Sequence, residues 1–143
     1  MVITSRKNDA VKRFRELLRE KSARDAQGVF AVEGDHLCGE LAKSGYGIIS
    51  VLTTERAEEK YPQTAALLRQ KCSDVTVISG DVAEYISDTK APQGLFAIAE
   101  KPVSPGIGGA RRLVLLDGVQ DPGNVGTIIR TAEALGFGSA VLS

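Results

Sequence analysis

The chain has 143 residues, of which 43% are hydrophobic, and 18 basic side chains balance 18 acidic ones. This length accommodates one domain of the usual size and part of another, with the composition of a soluble globular protein. No apolar run approaches the ~20 residues of a membrane span, and the charged N-terminus lacks the apolar core of a secretion signal. We therefore expect a cytoplasmic protein with no membrane partner.

The cysteines and the acidic cluster near residue 35 predict no metal site. Cys38 and Cys72 lie far apart without paired spacing, so they indicate buried free thiols rather than a disulfide framework or a zinc site. Glu33, Asp35 and His36 crowd beside Cys38, but their spacing matches no standard metal site. A helix N-terminus at this point explains the acids through capping and the helix dipole.

The zero net charge conceals an uneven distribution. Residues 1–26 carry eight basic side chains against Asp9, Glu16, Glu20 and Asp25; the basic ones are Arg6, Lys7, Lys12, Arg13, Arg15, Arg19, Lys21 and Arg24. Such a basic arm could contact phosphates with a salt-dependent affinity. The alternative is an exposed helix face whose charges are simply solvated.

Taken in order, residues 1–100 alternate between helical and strand patterns. The predicted helices are 8–22, capped by Asn8 or Asp9, then 35–43, then 56–71 with Pro62 delaying or kinking its first turn, and a short helix capped by Asp81. The predicted strands are 27–34, 48–53, 75–78 and 94–99. This alternation predicts a compact α/β domain of about 100 residues.

Two short segments repeat one pattern. Residues 27–32 read QGVFAV and residues 93–98 read QGLFAI, which predicts two strands in similar surroundings. Residues 101–110 differ from everything before them, with two prolines, three glycines and no apolar periodicity. They predict a linker between the first domain and residues 111–143.

The last stretch reads as a βαβ unit. The apolar run 113–116 predicts a strand covered on both faces of a parallel sheet, followed by a polar turn that ends at Asn124, a candidate helix N-cap. Gly136 fits a left-handed C-cap, and a second strand covers 139–143. Five apolar residues recur at helical spacing and predict the face packed on the sheet, namely Val125, Ile128, Ile129, Ala132 and Leu135. The polar loop lies where ligands bind in α/β sheets.

This stretch closely resembles the first motif of the SpoU/TrmH family of RNA ribose 2′-O-methyltransferases, within the SPOUT superfamily. The matching residues are Pro122-Gly-Asn124-Val-Gly126 and Arg130-Thr-Ala-Glu-Ala-Leu-Gly136. The resemblance implies a knotted α/β domain that uses S-adenosylmethionine and methylates rRNA or tRNA. It also implies that Asn124 and Arg130 are catalytic.

The chemistry of ribose methylation indicates a role for each of these residues. The 2′-oxygen loses a proton as it attacks the methyl group, so a site must stabilise negative charge. Because a guanidinium has a pKa above ~12, we interpret Arg130 as a phosphate or oxyanion clamp and leave the proton acceptor open. Asn124 would position the loop or the ribose. In the alternative structural interpretation, Asn124 only caps the helix and Arg130 pairs with Glu133.

Residues 1–100 resemble the substrate-binding domain that precedes the catalytic domain in many SpoU-type enzymes. The resemblance rests on three segments, namely Asn8…Val11-Lys12, Arg24…Gly28-Val-Phe-Ala-Val-Glu33-Gly34 and Thr89-x-x-Pro92-Gln93-Gly94. It implies an α/β/α sandwich similar to a ribosomal-protein fold that grips structured RNA. Lys12 and Arg24 are the candidate RNA contacts, whereas Glu33 and Gly34 are interpreted as a turn between strand and helix.

The family's later motifs, which build the cofactor pocket and the knot, are absent from these residues. We therefore expect a fragment of a longer enzyme that by itself neither binds S-adenosylmethionine nor methylates RNA, and a full-length enzyme that is a homodimer. Two alternatives remain open. The chain could be an RNA-binding module without catalysis, or a protein-interaction domain without RNA affinity.

Overall fold

The computed structural model describes residues 1–103 and 106–143. It divides into two compact units, Met1–Pro102 and Val103–Ser143. The predicted linker, 101–110, contains the change from one unit to the other, and its residues 104 and 105 lie outside the described residues. Within the described ranges, no helix has both the length and the apolar character needed to cross a membrane.

The first unit is built on a mixed five-stranded sheet. Its strands are β1 (Val2–Ile3), β2 (Val29–Glu33), β3 (Ile48–Thr53), β4 (Val75–Ile78) and β5 (Leu95–Glu100), in the order β1-β4-β3-β5-β2. Its helices are α1 (Asp9–Arg19), α2 (Lys21–Gln27), α3 (Asp35–Lys43), α4 (Glu55–Lys60), α5 (Pro62–Lys71) and α6 (Gly80–Ile86). Strands β1, β4 and β3 are parallel to one another, and β5 runs antiparallel to both β3 and β2.

The sheet separates two apolar cores, as strand β5 shows. Its alternate residues Phe96 and Ile98 pack with Phe14 and Leu17 of α1, whereas Leu95, Ala97 and Ala99 pack with α3 and α5 on the opposite face. Alternation along a strand sends successive side chains to opposite faces, so helices cover both sides of this strand. The predicted α/β/α sandwich is confirmed.

The predicted helix 8–22 is wrong at its C-terminal end. Asn8 caps α1 as expected, because its Oδ1 accepts a hydrogen bond from Ala10 N at 2.9 Å. Glu20 then adopts an extended conformation, with φ −101° and ψ 112°, and a separate helix α2 follows. None of the α2 residues is buried, so α2 lacks the apolar stripe by which a helix is recognised in sequence.

Two later helices also differ from the prediction. The predicted helix 56–71 breaks at Tyr61 into α4 and α5, with Pro62 in the first turn of α5, where its missing N–H costs nothing. Ser79 rather than Asp81 caps α6, since its hydroxyl accepts a hydrogen bond from Val82 N at 3.4 Å. Strand β1 was not predicted, because two residues are too few to show a period.

The two similar segments pair with each other but lie in different surroundings. Strands β2 and β5 are antiparallel neighbours, with Phe30 opposite Ala99. Because β5 lies between β3 and β2 while β2 is at the edge of the sheet, Phe96 is buried and Phe30 only half-buried. The prediction of similar surroundings is therefore wrong.

The second unit is the predicted βαβ unit. Strands β6 (Leu113–Leu116) and β7 (Ser139–Leu142) are parallel and are connected by helix α7 (Pro122–Ala134). Gly136 ends this helix with φ 78°, and Phe137 N donates to Ala132 O at 2.9 Å, as in a left-handed C-terminal motif. The predicted role of Gly136 is confirmed.

Much of the apolar surface of this unit is exposed. Leu113 is 45% and Leu115 62% exposed, so β6 is not covered on both faces as the sequence predicted. Of the five residues predicted to face the sheet, Ala132 is buried and Val125 and Ile128 are half-buried, but Ile129 and Leu135, the residue after α7, are exposed. One helix covers only one face of a two-stranded sheet, which accounts for the difference.

Candidate functional site

The loop between β6 and α7 is shaped by Asp121. Its Oδ1 accepts a hydrogen bond from Asn124 N at 2.8 Å, and Pro122 occupies the first turn of α7. Asp121 is therefore the N-cap, and the prediction that Asn124 caps this helix is wrong. Pro122 explains why the helix begins before Asn124. Proline is well suited to the first turn of a helix, so α7 begins earlier than its apolar pattern indicates.

The Asn124 side chain is consequently left for another partner. It is exposed in the first turn of α7, and its carboxamide forms no hydrogen bond with any residue that the structure describes. A free carboxamide offers both a donor and an acceptor, the combination that suits a ribose hydroxyl.

Arg130 is also exposed and has no internal partner. Among the described residues its guanidinium forms neither a hydrogen bond nor an ion pair, so the alternative pairing with Glu133 is not seen. Its Nη2 lies 4.0 Å from the place where a Cβ of Gly126 would be, which shows that the side chain extends back toward the start of α7. Six helical positions separate Asn124 from Arg130 by about 9 Å along the axis and about 120° around it.

The carboxyl ends of the two parallel strands are joined by hydrogen bonds. Ser143 Oγ donates to Asp117 Oδ1 at 2.6 Å and accepts from Gly118 N at 3.2 Å. These contacts hold the start of the loop that carries Asn124. The loop therefore begins at a defined point of the sheet and ends at a defined cap.

In the first unit, polar residues lie together where several strands of the sheet end, and we call this side of the sheet its carboxyl-end edge. The carboxyl ends of β2, β3 and β4 meet the amino end of β5 there, since Glu33 pairs with Phe96 and Thr53 with both Leu95 and Val77. This is the edge at which ligands commonly bind in α/β sheets.

Two hydrogen-bonded connections organise this edge. Glu33 Oε1 accepts from Ser87 Oγ at 2.5 Å and from Thr89 Oγ1 at 3.1 Å. Gln93 Oε1 accepts from Asp35 N at 2.6 Å, at the start of α3. The segment 87–94 is thereby tied to the end of β2, and the predicted turn at residues 33 and 34 is also a clamp on that segment.

A groove of about 750 Å³ opens beside these connections, and we call this part of the sheet the grooved edge. Three cations line it, namely Arg56, Lys60 and Lys90, together with the acidic Glu55 and Glu84 and the polar Thr54, Ser79 and Gln93. None of the three cations forms a salt bridge with a described residue. Lys60 Nζ lies 5.2 Å from the centre of the Tyr61 ring, which also lines the groove. The groove thus combines three cations and two carboxylates with neutral donors and acceptors.

The two predicted RNA contacts in the first helices are placed differently. Lys12 is exposed on α1 and lies 3.5 Å from Asp9 Oδ1, an exposed pair that contributes little to stability. Arg24 Nη1 donates to Leu17 O at 2.8 Å and to Leu18 O at 3.2 Å. Arg24 therefore satisfies carbonyls at the end of α1, so part of its guanidinium has a structural role.

Two arginines surround Tyr85 of α6. The guanidinium carbons of Arg15 and Arg6 lie 4.2 Å and 5.2 Å from the centre of its ring. Arg15 Nη1 also donates to Tyr85 Oη at 3.0 Å. Both arginines belong to the basic arm, but no local pattern distinguishes them from its other cations, because Tyr85 is 70 positions away from Arg15.

The thiols contribute no reactive group. Cys38 and Cys72 are free and buried, and burial, with a smaller contribution from Asp35, raises the pKa of Cys38 to about 12. Burial also raises the pKa of Cys72. Among the described residues, no three or more His, Cys, Asp or Glu side chains are arranged to hold a metal ion.

Comparison with protein families decides what the first unit is. Residues 8–97, more than half of the chain, match the MRM3-like substrate binding domain. The chain belongs to this family. The matched range includes every residue that lines the 750 Å³ groove except Val2. It also includes Arg15 and Tyr85, but not Arg6.

Relatives of known name extend the match beyond this domain. The 23S rRNA (guanosine(2553)-2′-O)-methyltransferase RlmP of Bacillus subtilis is 34% identical over 140 residues, covering 98% of this chain and 53% of that protein. An AdoMet-bound rRNA methyltransferase from Sinorhizobium meliloti superposes with a TM-score of 0.75 at 32% identity, over 99% of this chain and 54% of that one. A TrmH-family protein from Porphyromonas gingivalis gives 0.70 at 33% identity, over 99% and 53%.

These comparisons confirm the resemblance to SpoU/TrmH methyltransferases. The chain spans about half the length of the relatives it matches. The segments ending in Glu33-Gly34 and Gln93-Gly94, on which the resemblance of the first domain rested, meet at the grooved edge of the sheet. The roles of Asn124, Arg130, Lys12 and Arg24 stay predictions.

Proposed function

We propose that this chain forms the RNA-binding domain and the first catalytic segment of an S-adenosylmethionine-dependent methyltransferase that modifies a ribose 2′-hydroxyl of rRNA or tRNA. The names of the relatives support methyl transfer to RNA rather than RNA binding alone. The observation that carries the proposal is that Asn124 and Arg130, the two motif residues, are exposed and have no side-chain partner among the described residues.

In this proposal the MRM3-like domain holds the RNA. The grooved edge offers Arg56, Lys60 and Lys90 to phosphates and the side chains of Thr54 and Gln93 to sugars or bases. Lys12, which is exposed on α1, adds a further phosphate contact, and so does the part of Arg24 that its backbone bonds leave free. Binding of this kind weakens as salt rises, because bound phosphates release counterions.

The proposed chemistry at α7 is electrostatic. Arg130 stabilises the negative charge that develops on the 2′-oxygen as its proton leaves, and its exposed position gives substrate access. The guanidinium is not the base, since its pKa exceeds ~12. Asn124 orients the ribose through its free carboxamide.

S-adenosylmethionine would supply the methyl group when bound, but residues 113–143 alone do not fit it. The apolar side chains of Leu113, Leu115 and Leu142 are exposed, and Leu142 is paired with Leu116 on the other face of the two-stranded sheet from Leu113 and Leu115, so they do not form one wall of a pocket. The pocket therefore requires residues in addition to these. We infer that the 143-residue chain by itself neither binds the cofactor nor methylates RNA.

Assembly and location complete the proposal. We propose a homodimer for a protein of the relatives' full length, and the exposed apolar side chains of Leu113, Leu115 and Ile129 supply surface that such an assembly can cover. A cytoplasmic location is supported by the two free, buried thiols, which suit a reducing compartment.

Two measurements test the proposal. Gel shifts of 23S rRNA with this chain should show affinity that falls as salt increases. A protein of the relatives' full length should transfer label from S-adenosylmethionine to ribose, detected by mass spectrometry of nuclease-digested RNA. Label found on a base, or no RNA retardation at low salt, would contradict the proposal.

A further inference from the structure

Two arginines and one tyrosine form a group of hydrogen-bond donors, with Arg15 on α1, Tyr85 on α6 and Arg6 in the turn before α1. Arg15 and Arg6 both place their guanidinium groups over the Tyr85 ring, at 4.2 Å and 5.2 Å. The Tyr85 hydroxyl accepts a hydrogen bond from Arg15, so its own proton remains free to be donated. No described residue accepts that proton, and none forms a hydrogen bond or an ion pair with Arg6.

Helical spacing adds further positive charge to this group. Lys12, Arg15 and Arg19 follow each other at i, i+3 and i+7 on α1, so they form one stripe. With Tyr85 they line an open groove of about 300 Å³. Arg19 is already neutralised by Asp88, whose Oδ1 lies 2.5 Å from its Nη2. The charges that remain for a ligand are those of Arg6, Lys12 and Arg15.

The acidic residues nearby do not satisfy these cations. Glu16 and Glu20 line the same groove, but neither forms a salt bridge with a described residue. Asp9 reaches Lys12 only at 3.5 Å in an exposed pair, which is worth little. Arg15 Nε is buried and has no acceptor among the described residues, although buried donors are normally satisfied.

We propose that Arg6, Lys12, Arg15 and Tyr85, here called the Tyr85 cluster, bind an RNA phosphate. The inference rests on the proposed function, since it locates a second contact of the same RNA in a groove separate from the one that Glu84, the neighbour of Tyr85 on α6, helps to line. A phosphate oxygen accepts several donors at once, and guanidinium groups match its geometry. The arginines already occupy the surroundings of the ring, so the cluster takes a phosphate rather than a stacked base.

Variants that remove charge without touching the core test this proposal. Arg6→Gln combined with Lys12→Gln changes exposed residues only. The matched control is Arg13→Gln, an exposed cation on the same helix that hydrogen-bonds Gln27 away from Tyr85. Arg15→Gln is a third variant, checked by thermal unfolding because Arg15 is half-buried. Each 143-residue chain is titrated against transcribed 23S rRNA at several salt concentrations, and against polyglutamate.

The double variant should bind RNA at least about fivefold more weakly, with the slope of log affinity against log salt reduced by about one, while Arg13→Gln stays within about twofold. Equal losses in the double variant and the control would overturn the Tyr85 cluster and leave the proposed function standing. Loss of polyglutamate binding with unchanged RNA binding would assign the cluster to an acidic protein instead. An unmodified chain that fails to bind RNA would overturn the proposed function and the cluster with it.

Discussion

Thr54 and Gly94 are in direct contact at the edge of the five-stranded sheet. Thr54 N donates to Gly94 O at 3.0 Å, and Thr54 Oγ1 accepts from Ala57 N at 3.1 Å, which caps α4. Gly94 has φ +75°, and a Cβ there would clash with Thr54 Oγ1 and lie 3.1 Å from its Cγ2. The hydroxyl that caps α4 therefore occupies space that only a glycine leaves free.

Gly94→Ala should destabilise the first unit by about 2–4 kcal/mol, since it combines backbone strain with a clash at a buried position. The matched control is Gly28→Ala, because Gly28 also has positive φ, +64°, but nothing lies within 4 Å of its added Cβ. That variant should cost about 1 kcal/mol from strain alone. Urea unfolding measures both, and equal costs would show that Thr54 moves aside freely.

Glu33→Ala should loosen the segment 87–94. The change removes the acceptor for Ser87 Oγ and Thr89 Oγ1, with an expected cost of about 1–3 kcal/mol. Glu33→Gln keeps an oxygen at the same place and should cost clearly less. Hydrogen exchange of the amides of 88–91 reports the loosening. Unchanged protection in the alanine variant would mean that Glu33 does not hold this segment.

Arg24→Met should lower stability by about 1–2 kcal/mol, because two carbonyls at the end of α1 lose their charged donor. Lys12→Met is the matched change of an exposed cation on α1 and should stay within about 0.5 kcal/mol. Thermal unfolding distinguishes them. If both variants had the same unfolding temperature, the hydrogen bonds from Arg24 to the end of α1 would not contribute to stability.

Asn124→Ala and Arg130→Met should leave stability within about 0.5 kcal/mol of the unmodified chain, because neither side chain has an internal partner in the described part of the chain. Asp121→Ala removes the cap of α7 and should cost about 1 kcal/mol. In a protein of the relatives' full length, loss of Arg130 should lower methyl transfer by about 100-fold. A stable, fully active Arg130→Met enzyme would exclude the proposed clamp.

Cys38 should resist thiol reagents in the folded chain. Burial raises its pKa to about 12, so near pH 8 the thiol stays protonated and unreactive. Cys72 is 5% exposed against 0% for Cys38 and should react faster, although its pKa is also raised. Labelling of Cys72→Ser and Cys38→Ser separates the two rates, and both thiols should react at once in guanidinium. Rapid native labelling of Cys38 would reveal local opening of α3.

Local patterns accounted for most of the elements, whereas the candidate catalytic residues Asn124 and Arg130 rest on the resemblance to a family motif. Apolar spacing and turn residues predicted α3, β3, β4, β6 and Gly136 closely, because each depends on neighbours a few positions away. The same logic failed at Glu20 and Tyr61, where one helical pattern conceals two helices. It also misplaced the caps of α6 and α7, since several polar residues compete for each position.

The sequence by itself determined the α/β class, the basic arm and the motif that carries Asn124 and Arg130. Only the tertiary structure decided which partner each cation has. Arg24 bonds to backbone carbonyls, Arg19 pairs with Asp88, and Arg6 and Arg15 both contact the Tyr85 ring. A periodic pattern reports which side of an element is apolar. It does not report which side chain from a distant part of the chain contacts the polar side, because that depends on how whole elements pack.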